Sequence, residues 1–419
     1  MLIHSASELL TLAGGPQRGD ELGNLGVICD GAVLIRDGKI AAVGTSPALR
    51  ASYPNEETFD ASGRVVMPGF VDPHTHLIWA GDRAAEFDLR LQGKTYMEIL
   101  EAGGGIISTV RATRQASLEQ LESETRLRIQ RMFAYGTTTA EAKTGYGLQT
   151  VTELRMLKAL YDLGEEGPLD LAITFLGAHA IPPEYVGQGD RYTQVVCDEM
   201  LPAVKLWWQD NVVGQALPFV DVFCELGAFS LAQSRRILEK ARDMGFPLKI
   251  HADEFENLGG TNMAVELGAV SADHMVKASF EDIASLASSN TVAVALPCTP
   301  FGLSEPFYSP ARAILDAGGL LALATDLNPG TAWCESMQFA IALACRYLRL
   351  NPAQAVAAAT INAAAAVGRA DRVGSIEVGK QADLLLLSVG TYRHLGYRFG
   401  TNLVEKIIKK GRVYTPACL

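Results

Sequence analysis

The chain has 419 residues and a net charge of −11, without a cluster of basic side chains. This length suits a barrel of about 250 residues with an appended module. The acidic balance argues against a nucleic-acid partner. The start of the chain lacks a signal-peptide pattern, and the longest apolar runs are too short to span a bilayer. Seven scattered cysteines are typical of reduced thiols in a cytoplasmic protein.

Both ends of the chain carry β-prone sequence. Residues 27–43 hold two β-prone runs around Asp37-Gly38, a hairpin turn signal. Residues 383–388 predict a strand, and 404–414 predict a hairpin that turns near Gly411. Because isolated hairpins are marginally stable and chain ends often lie close together, we expect the two ends to pair. The sequence therefore predicts a small β-sandwich domain from residues 1–64 and 375–419.

Between these ends, apolar strands alternate with helix-length amphipathic segments. Strands are predicted at about 65–72, 137–142, 171–177, 220–225, 247–251, 270–274, 291–296 and 320–325. Helices are predicted at 118–133, 231–244, 280–287 and, as one close-packed helix, 355–366. Eight strands with interleaved helices predict an α/β fold, a (β/α)8 barrel of the TIM type, over residues 65–374. The segment 79–108 is either a mobile lid or a plain loop.

Five of the seven histidines lie at the C-terminal ends of predicted strands. That rim is where barrel enzymes carry their active sites. A lone histidine is more often structural, and a rim aspartate often caps a helix, but the joint pattern favours a metal site. His74, His76, His251 and Asp326 provide three nitrogen donors and one oxygen donor, which suits Zn²⁺ or a similar ion. Such an ion lowers the pKa of its water to about 7 and makes hydroxide available.

On these residues the sequence resembles the amidohydrolase superfamily, and within it the imidazolonepropionase family of histidine degradation. The stretches that carry the resemblance are 68–76, 141–147, 174–179, 221–225, 251–254 and 325–331. They run through the whole predicted barrel. The first is common to the superfamily, whereas the second and third are much closer to this family alone.

The resemblance implies a reaction, a cofactor and an assembly. The reaction is hydrolysis of the cyclic amide of 4-imidazolone-5-propanoate to N-formimidoyl-L-glutamate, the third step of histidine degradation to glutamate, by attack of a metal-bound hydroxide on the ring carbonyl. The cofactor is one divalent or trivalent ion per chain, zinc or iron, held by the four residues above. The protein is expected to be a cytoplasmic homodimer without a nucleic-acid or membrane partner.

The resemblance also assigns site residues. Glu254, His274 and Asp326 are the expected catalytic residues, and either carboxylate remains open as the proton shuttle. His274 is expected to help the metal stabilise the oxyanion. Arg83 is expected to pair with the propionate tail of the substrate. The expected substrate-binding residues are Arg83, Tyr96, Tyr146, His179, Glu254, Asn328, Gly330 and Thr331, with hydrogen-bond donation expected from the two tyrosines and His179.

Two alternatives remain open from the sequence. A deaminase of a nucleobase or a related heterocycle would need the same metal but not Arg83 as a carboxylate clamp. A barrel kept as a non-enzymatic binding scaffold would have lost metal ligands, whereas all four are present. Many two-metal relatives use a modified lysine on the fourth strand; Lys143 follows the second strand instead, which favours one metal.

Overall fold

The computed structural model describes residues 1–94, 98 and 104–416. Tyr96 therefore lies outside the described residues. The strands of the described residues form three sheets. They are β1 Leu2–Ala6, β2 Glu8–Leu10, β3 Val27–Ile28, β4 Gly31–Arg36, β5 Lys39–Thr45, β6 Thr58–Asp60, β7 Val65–Pro68, β8 Phe70–Asp72, β9 Thr137–Lys143, β10 Asp170–Ala178, β11 Phe219–Cys224, β12 Lys249–Ala252, β13 Ser271–His274, β14 Val292–Ala295, β15 Leu321–Leu323, β16 Leu384–Leu387, β17 Val404–Lys409 and β18 Arg412–Tyr414.

Helices cover the outside of the central sheet and connect its strands. The α-helices are Ser46–Ser52, Ala84–Leu91, Ile106–Gln115, Leu118–Ala134, Thr150–Glu166, Gly189–Val195, Leu201–Asn211, Leu231–Asp243, Gly260–Leu267, Phe280–Ala287, Cys298–Leu303, Ala311–Asp316, Met337–Tyr347, Pro352–Ala358, Ile361–Ala366 and His394–Tyr397. Gly19–Glu21 and Pro183–Tyr185 form 3₁₀ turns, and Val196–Met200 forms a π-helical turn. Within the described residues, none of the helices is long and apolar enough to cross a bilayer.

Strands β8 to β15 form one parallel sheet in chain order. A parallel bridge between Thr75 and Leu327, just beyond β8 and β15, brings the two edges together. Asp72 holds the same seam, because its carboxylate accepts hydrogen bonds from the backbone N–H of Thr325 at 3.1 Å and from the Thr325 hydroxyl at 2.5 Å. The predicted (β/α)8 barrel is confirmed, and its strands end at one common rim.

The first predicted barrel strand, 65–72, is in fact two strands in two sheets. Strand β7 pairs with β16 and β2 in the sheet of the chain ends, whereas β8 pairs with β9 in the barrel. The break falls at Gly69, where a Cβ would lie 2.2 Å from Thr138 Oγ1. The sequence did not reveal the break because both halves are apolar and fully buried. The barrel therefore begins at Phe70.

Strands from both chain ends lie side by side, as predicted. The six-stranded sheet has the order β18-β17-β16-β7-β2-β3, and the four-stranded sheet has the order β5-β4-β1-β6. Both predicted hairpins have two-residue turns in the left-handed region, with φ of 50° and 72° at Asp37 and Gly38 and of 48° and 78° at Lys410 and Gly411. These φ values are those of the tight hairpin turn that fits twisted strands.

A buried cluster of charges fastens this β domain to the bottom of the barrel. The Lys409 ammonium donates to Asp383 Oδ2 at 2.6 Å, to Asp170 Oδ2 at 2.8 Å and to the Thr138 carbonyl at 2.8 Å. Lys409 is only 3% exposed. Burial alone would raise the pKa of Asp170, but the attraction of Lys409 lowers it below its ordinary value. Breaking such a buried pair from one side is strongly destabilising.

The three amphipathic helices predicted from periodicity are confirmed as Leu118–Ala134, Leu231–Asp243 and Phe280–Ala287. Each begins where a serine side chain accepts a hydrogen bond from a first-turn backbone N–H, as at Ser117 and Ser230. This cap satisfies a donor that the helix itself leaves free.

Two other interpretations of the sequence are corrected. The single helix predicted for 355–366 is two helices, Pro352–Ala358 and Ile361–Ala366, and the Thr360 hydroxyl between them donates to the Val356 carbonyl at 2.7 Å. The segment 79–108 is not a plain loop, because it contains the helix Ala84–Leu91.

Candidate active site

The rim of the barrel collects the ionisable residues that the sequence placed at strand ends. His74 and His76 follow β8, His251 lies in β12, His274 ends β13 and Asp326 follows β15. All five side chains are buried, with at most 3% of each residue exposed. The ring centroids of His74 and His251 are 4.4 Å apart, and that of His274 lies 5.3 Å from both.

Four donor atoms of this group meet at one point. His76 Nε2 lies 3.2 Å from His251 Nε2, while Asp326 Oδ1 lies 3.4 Å from His74 Nε2 and 3.5 Å from His76 Nε2. Ligands placed 2.0–2.1 Å from a tetrahedral ion are about 3.3 Å apart. His74 Nε2 and Asp326 Oδ1 are buried and have no hydrogen-bond partner among the residues that the structure describes. The donor set therefore fits one metal ion.

His74 and His76 are in the protonation state that binds a metal. Burial lowers the pKa of His74 and of His76 well below the ordinary value. The charge of Lys143 lowers the pKa of His74 further, and His179 does the same for His76. Both rings are therefore neutral near pH 7, and neutral imidazole is the common protein metal ligand.

Two carboxylates orient the histidines from outside. Asp273 Oδ2 lies 2.6 Å from His74 Nδ1, and Asp221 Oδ2 lies 2.9 Å from His251 Nδ1. At His74 this contact is a hydrogen bond, and because an ionised carboxylate only accepts, His74 Nδ1 carries the proton and its Nε2 is left free to bind a metal. The Asp221 carboxylate beside His251 Nδ1 favours the same tautomer there. Sequence analysis did not assign these roles to Asp221 and Asp273. The signal was present, because a charged residue inside an apolar barrel strand requires a partner.

Glu254 and His274 lie beside the donor set. Glu254 Oε1 is 3.5 Å from His274 Nδ1. Burial raises the pKa of Glu254 well above its ordinary value, and the negative charges of Asp326 and Glu225 raise it further. Burial lowers the pKa of His274 well below its ordinary value. Burial therefore favours the acid form of the Glu254 carboxyl group and the neutral form of the His274 ring beside it.

Asp326 differs from Glu254 because one of its oxygens is held by a hydrogen bond and the other faces the histidines. Its Oδ2 accepts a 2.5 Å hydrogen bond from the Thr299 hydroxyl, and its Oδ1 faces His74 and His76. Burial raises the pKa of Asp326 to about 6, although the hydrogen bond from Thr299 opposes this shift.

His179 lies against the donor set with a defined tautomer. Its ring stacks on His76 with centroids 4.7 Å apart, and burial lowers its pKa to about 3. Its Nδ1 donates to the Gly145 carbonyl at 3.0 Å, because a carbonyl oxygen can only accept. The neutral ring is left with Nε2 as an acceptor, so the donor role expected for His179 changes to an acceptor role. The Tyr146 ring, 3% exposed, lies 5.2 Å from it.

The loop after Asp326 is organised by Asn328. Its Oδ1 accepts from the backbone N–H groups of Gly330 and Thr331, both at 2.8 Å, and its Nδ2 donates to the Asp326 carbonyl at 2.7 Å. The carboxamide of Asn328 is thus engaged within the loop and sets the shape of the segment that follows the proposed metal ligand.

Arg83 reaches the same loop from the other side. It lies at the N-terminus of the helix Ala84–Leu91, and its Nε donates to Glu86 Oε2 at 2.8 Å. Its guanidinium covers Gly330, where a Cβ would lie 2.2 Å from Arg83 Nη1. Arg83 is therefore brought next to the rim, as its closeness to His76 in the sequence predicted. Tyr96, the remaining substrate-binding candidate, lies outside the described residues.

Comparisons with known proteins show the family of the chain. The model of the amidohydrolase family matches residues 65–414, and that of an imidazolonepropionase-like composite domain of bacteria matches residues 31–55. An imidazolonepropionase of Herpetosiphon aurantiacus is 54% identical over 412 residues, which cover 98% of this chain and 96% of that protein. The chain belongs to the amidohydrolase family and, within it, to the imidazolonepropionases. The imidazolonepropionase of Symbiobacterium thermophilum is 49% identical, and the match covers 99% of this chain and 96% of that protein.

Solved structures of two deaminases share the fold. E. coli guanine deaminase has a TM-score of 0.73 at 14% identity and covers 99% of this chain and 98% of that chain. The 5-methylcytosine deaminase of Klebsiella pneumoniae has a TM-score of 0.74 at 17% identity and covers 100% of this chain and 98% of that chain. At these identities the likeness concerns the fold alone. As a member of the imidazolonepropionases, the protein is a hydrolase, and the resemblance read from the sequence is confirmed.

Proposed function

We propose that the protein hydrolyses the cyclic amide of 4-imidazolone-5-propanoate to N-formimidoyl-L-glutamate with one metal ion, zinc or iron, per chain. The ion would be held by His74, His76, His251 and Asp326. The observation that carries the proposal is the convergence of these four donors next to a rim arginine. The printed name of the relatives, which cover nearly the whole chain, supports the same substrate.

When bound, the ion supplies a Lewis acid and an activated water at neutral pH. The side chains around it would supply the proton transfers. Opening the ring amide requires a proton for the departing nitrogen. Glu254 is the residue proposed to give it, because its raised pKa favours the protonated carboxylic acid. Asp326 is the weaker candidate for this shuttle, since Thr299 already occupies its Oδ2.

His274 is proposed to stabilise the oxyanion that develops on the ring carbonyl. If protonated Glu254 faces His274 Nδ1, 3.5 Å away, the neutral ring carries its proton on Nε2. That N–H would then be a fixed donor in a site shielded from water, where such donors contribute most to the rate. A 3.5 Å separation without substrate is compatible with this role, since catalytic hydrogen bonds often tighten in the complex.

The propionate tail is proposed to bind Arg83. Glu86 takes the Nε–H of the guanidinium, and among the described residues the two terminal nitrogens are left for a carboxylate, which Arg recognises through paired hydrogen bonds. Tyr146 and Tyr96 are proposed to donate to the tail or ring, while His179 Nε2 would accept from a ring N–H. Gly330 and Thr331 would border the product in the loop shaped by Asn328.

Replacing Arg83 tests the substrate. Arg83→Ala should lower kcat/KM for imidazolonepropionate by about 10²-fold or more, because the carboxylate is left poorly paired in the site. Arg83→Lys should be intermediate, since an ammonium offers only a point charge. Metal content should stay normal.

The control for Arg83 is a neutral imidazolone without the propionate group. It should be a poor substrate of the unchanged enzyme, and Arg83→Ala should scarcely affect its turnover. Full activity of Arg83→Ala on the propionate substrate would contradict the pairing of Arg83 with the propionate. It would favour the deaminase alternative, in which ammonia is released from a heterocycle.

Gly330→Ala should weaken the same interaction without removing a charge. The new methyl group would displace the Arg83 guanidinium, the end of a flexible side chain, so that the fold is kept. We expect kcat/KM for imidazolonepropionate to fall by about tenfold or more, since small misplacements of a positioning group are costly. Gly400→Ala, where a Cβ meets no atom within 4 Å, is the matched control. Equal kinetics of the two variants would contradict the contact between Arg83 and Gly330.

We further propose, from the family resemblance and the acidic charge, a cytoplasmic homodimer that binds neither nucleic acid nor membrane. Light scattering of the purified protein in solution tests the dimer directly, and a mass of one chain, 44.9 kDa, would contradict it.

A further inference from the structure

A buried layer of charged side chains lies beneath the proposed metal centre. It consists of Lys143, Lys249, Glu141, Asp221 and Asp273, each at most 1% exposed. The Lys143 ammonium lies 2.7 Å from Asp221 Oδ2, 2.9 Å from Glu141 Oε1 and 3.7 Å from Asp273 Oδ2. The three carboxylates come from three different strands, β9, β11 and β13, and Lys143 joins them.

Lys143 is charged in this layer. Burial alone would lower its pKa, but the attraction of Asp221, Glu141 and Asp273 outweighs burial and raises the pKa above its ordinary value. A buried ion remains stable only where its partners replace the lost water. Among the described residues, removing the Lys143 ammonium would leave Asp221 without a lysine or arginine within 4 Å, and Asp273 with only the Lys249 ammonium, 3.9 Å from its Oδ2.

The same carboxylate oxygens contact the proposed metal ligands. Asp221 Oδ2 lies 2.9 Å from His251 Nδ1, and Asp273 Oδ2 lies 2.6 Å from His74 Nδ1. We propose that Lys143 is a positioning residue for the metal centre: its ammonium holds Asp221 and Asp273 on the outer nitrogens of His251 and His74. Both rings are thereby fixed with Nε2 toward one ion. This inference rests on the proposed ligand set.

Lys249 has a different place in the layer. Its ammonium donates to the carbonyls of Pro73 at 2.9 Å and Ala366 at 3.2 Å, and lies 3.2 Å from Glu141 Oε2. Lys249 thus holds the backbone carbonyl of the residue that precedes His74. In the part of the chain that the structure describes, Lys143 is the one lysine or arginine within 4 Å of Asp221. The link from an ammonium to His251 therefore runs through Lys143.

Lys143→Met tests the proposal because it removes the charge and keeps an apolar stem of similar length. The matched control is Lys409→Met, which also removes a buried ammonium. Lys409 pairs with Asp170 and Asp383, and neither of these is a proposed metal ligand. The readouts are Zn²⁺ affinity, from competition with a chelator, and the visible spectrum of the Co²⁺-loaded protein, which reports ligand geometry. Neither readout depends on turnover.

We expect Lys143→Met to weaken Zn²⁺ binding by about 10- to 100-fold, the usual effect of losing groups that orient metal ligands, and to change the Co²⁺ spectrum. Lys409→Met should lower the melting temperature and leave both readouts unchanged. Should Lys143→Met not fold, the charge-balanced variant Lys143→Met with Glu141→Gln takes its place, which keeps Asp221 and Asp273, with the same expected loss of affinity.

Unchanged Zn²⁺ affinity in either folded Lys143 variant would overturn the proposal, as would an equal loss in Lys409→Met. Failure of both Lys143 variants to fold, with Lys409→Met folded, would also overturn it, because the layer would then serve folding. An unchanged protein that binds no Zn²⁺ would contradict the ligand set itself, which is a separate result.

Discussion

Replacing His74 and His76 together by alanine should remove the metal ion and abolish hydrolysis of imidazolonepropionate. All three donor separations described at the centre involve one of these two rings. Without them, His251 and Asp326 remain, and two ligands do not hold a catalytic ion. The unchanged protein should contain about one ion per chain by elemental analysis, and the double variant essentially none.

The control for this change is His394→Ala, which removes a histidine from the domain of the chain ends. It should keep both the ion and the activity, because His394 lies in the helix His394–Tyr397, outside the barrel. Two tightly bound ions in the unchanged protein would contradict a single-metal site, and a double variant that retains its ion would contradict the ligand set.

Glu254→Gln should lower kcat by about 10²- to 10⁴-fold, the range typical of losing a positioned acid, while the ion stays bound. Glutamine keeps the shape but has no transferable proton. The pKa of Glu254 is raised, so its acid form is present below that raised pKa and is lost as the pH increases through it. The unchanged enzyme should therefore lose kcat on the alkaline side, and this dependence should be absent from Glu254→Gln.

Two further variants make the Glu254 result specific. Glu256→Gln changes an exposed neighbour and should leave kcat unchanged.

His274→Ala should lower kcat by about 10²-fold or more if His274 stabilises the oxyanion, with the ion retained. Loss of the ion in His274→Ala would instead make His274 a ligand, since its ring also borders His74 and His251. Full activity of Glu254→Gln would exclude Glu254 as the residue that donates the proton.

Much of the fold was predictable because the barrel repeats a simple pattern. Apolar strands followed by amphipathic segments were visible, and so were His74, His76 and Asp326 at the ends of β8 and β15. The glycine that separates β7 from β8 was not, because Gly69 is required by Thr138, which lies on another strand. Similarly, the break at Thr360 depends on packing that an alanine-rich sequence does not display.

Charged residues inside the barrel strands were visible in the sequence, but their partners in the supporting layer could not be predicted, for a related reason. His74 and Asp273 are 199 residues apart, and Lys143 and Asp221 are 78 apart, so no local pattern joins them. The acceptor role of His179 depends likewise on the Gly145 carbonyl, 34 residues away. Sequence periodicity indicates which residues reach the rim, whereas the protonation and orientation of each ring depend on contacts between strands.

The shared fold does not by itself determine the reaction. The structural neighbours include deaminases of guanine and 5-methylcytosine at 14% and 17% identity, and one barrel supports many chemistries. What separates the present site from a nucleobase deaminase in our account is the arginine that covers Gly330 beside the donor set. The reaction product is therefore the decisive observable.

The most direct measurement is turnover of imidazolonepropionate by the metal-loaded protein in H₂¹⁸O, followed by loss of ring absorbance and by mass spectrometry of the product. The account predicts N-formimidoyl-L-glutamate with one ¹⁸O in the newly formed α-carboxylate, and no turnover after the ion has been removed by a chelator. Release of ammonia with an intact ring, or ¹⁸O on the one-carbon unit in place of the carboxylate, would contradict it.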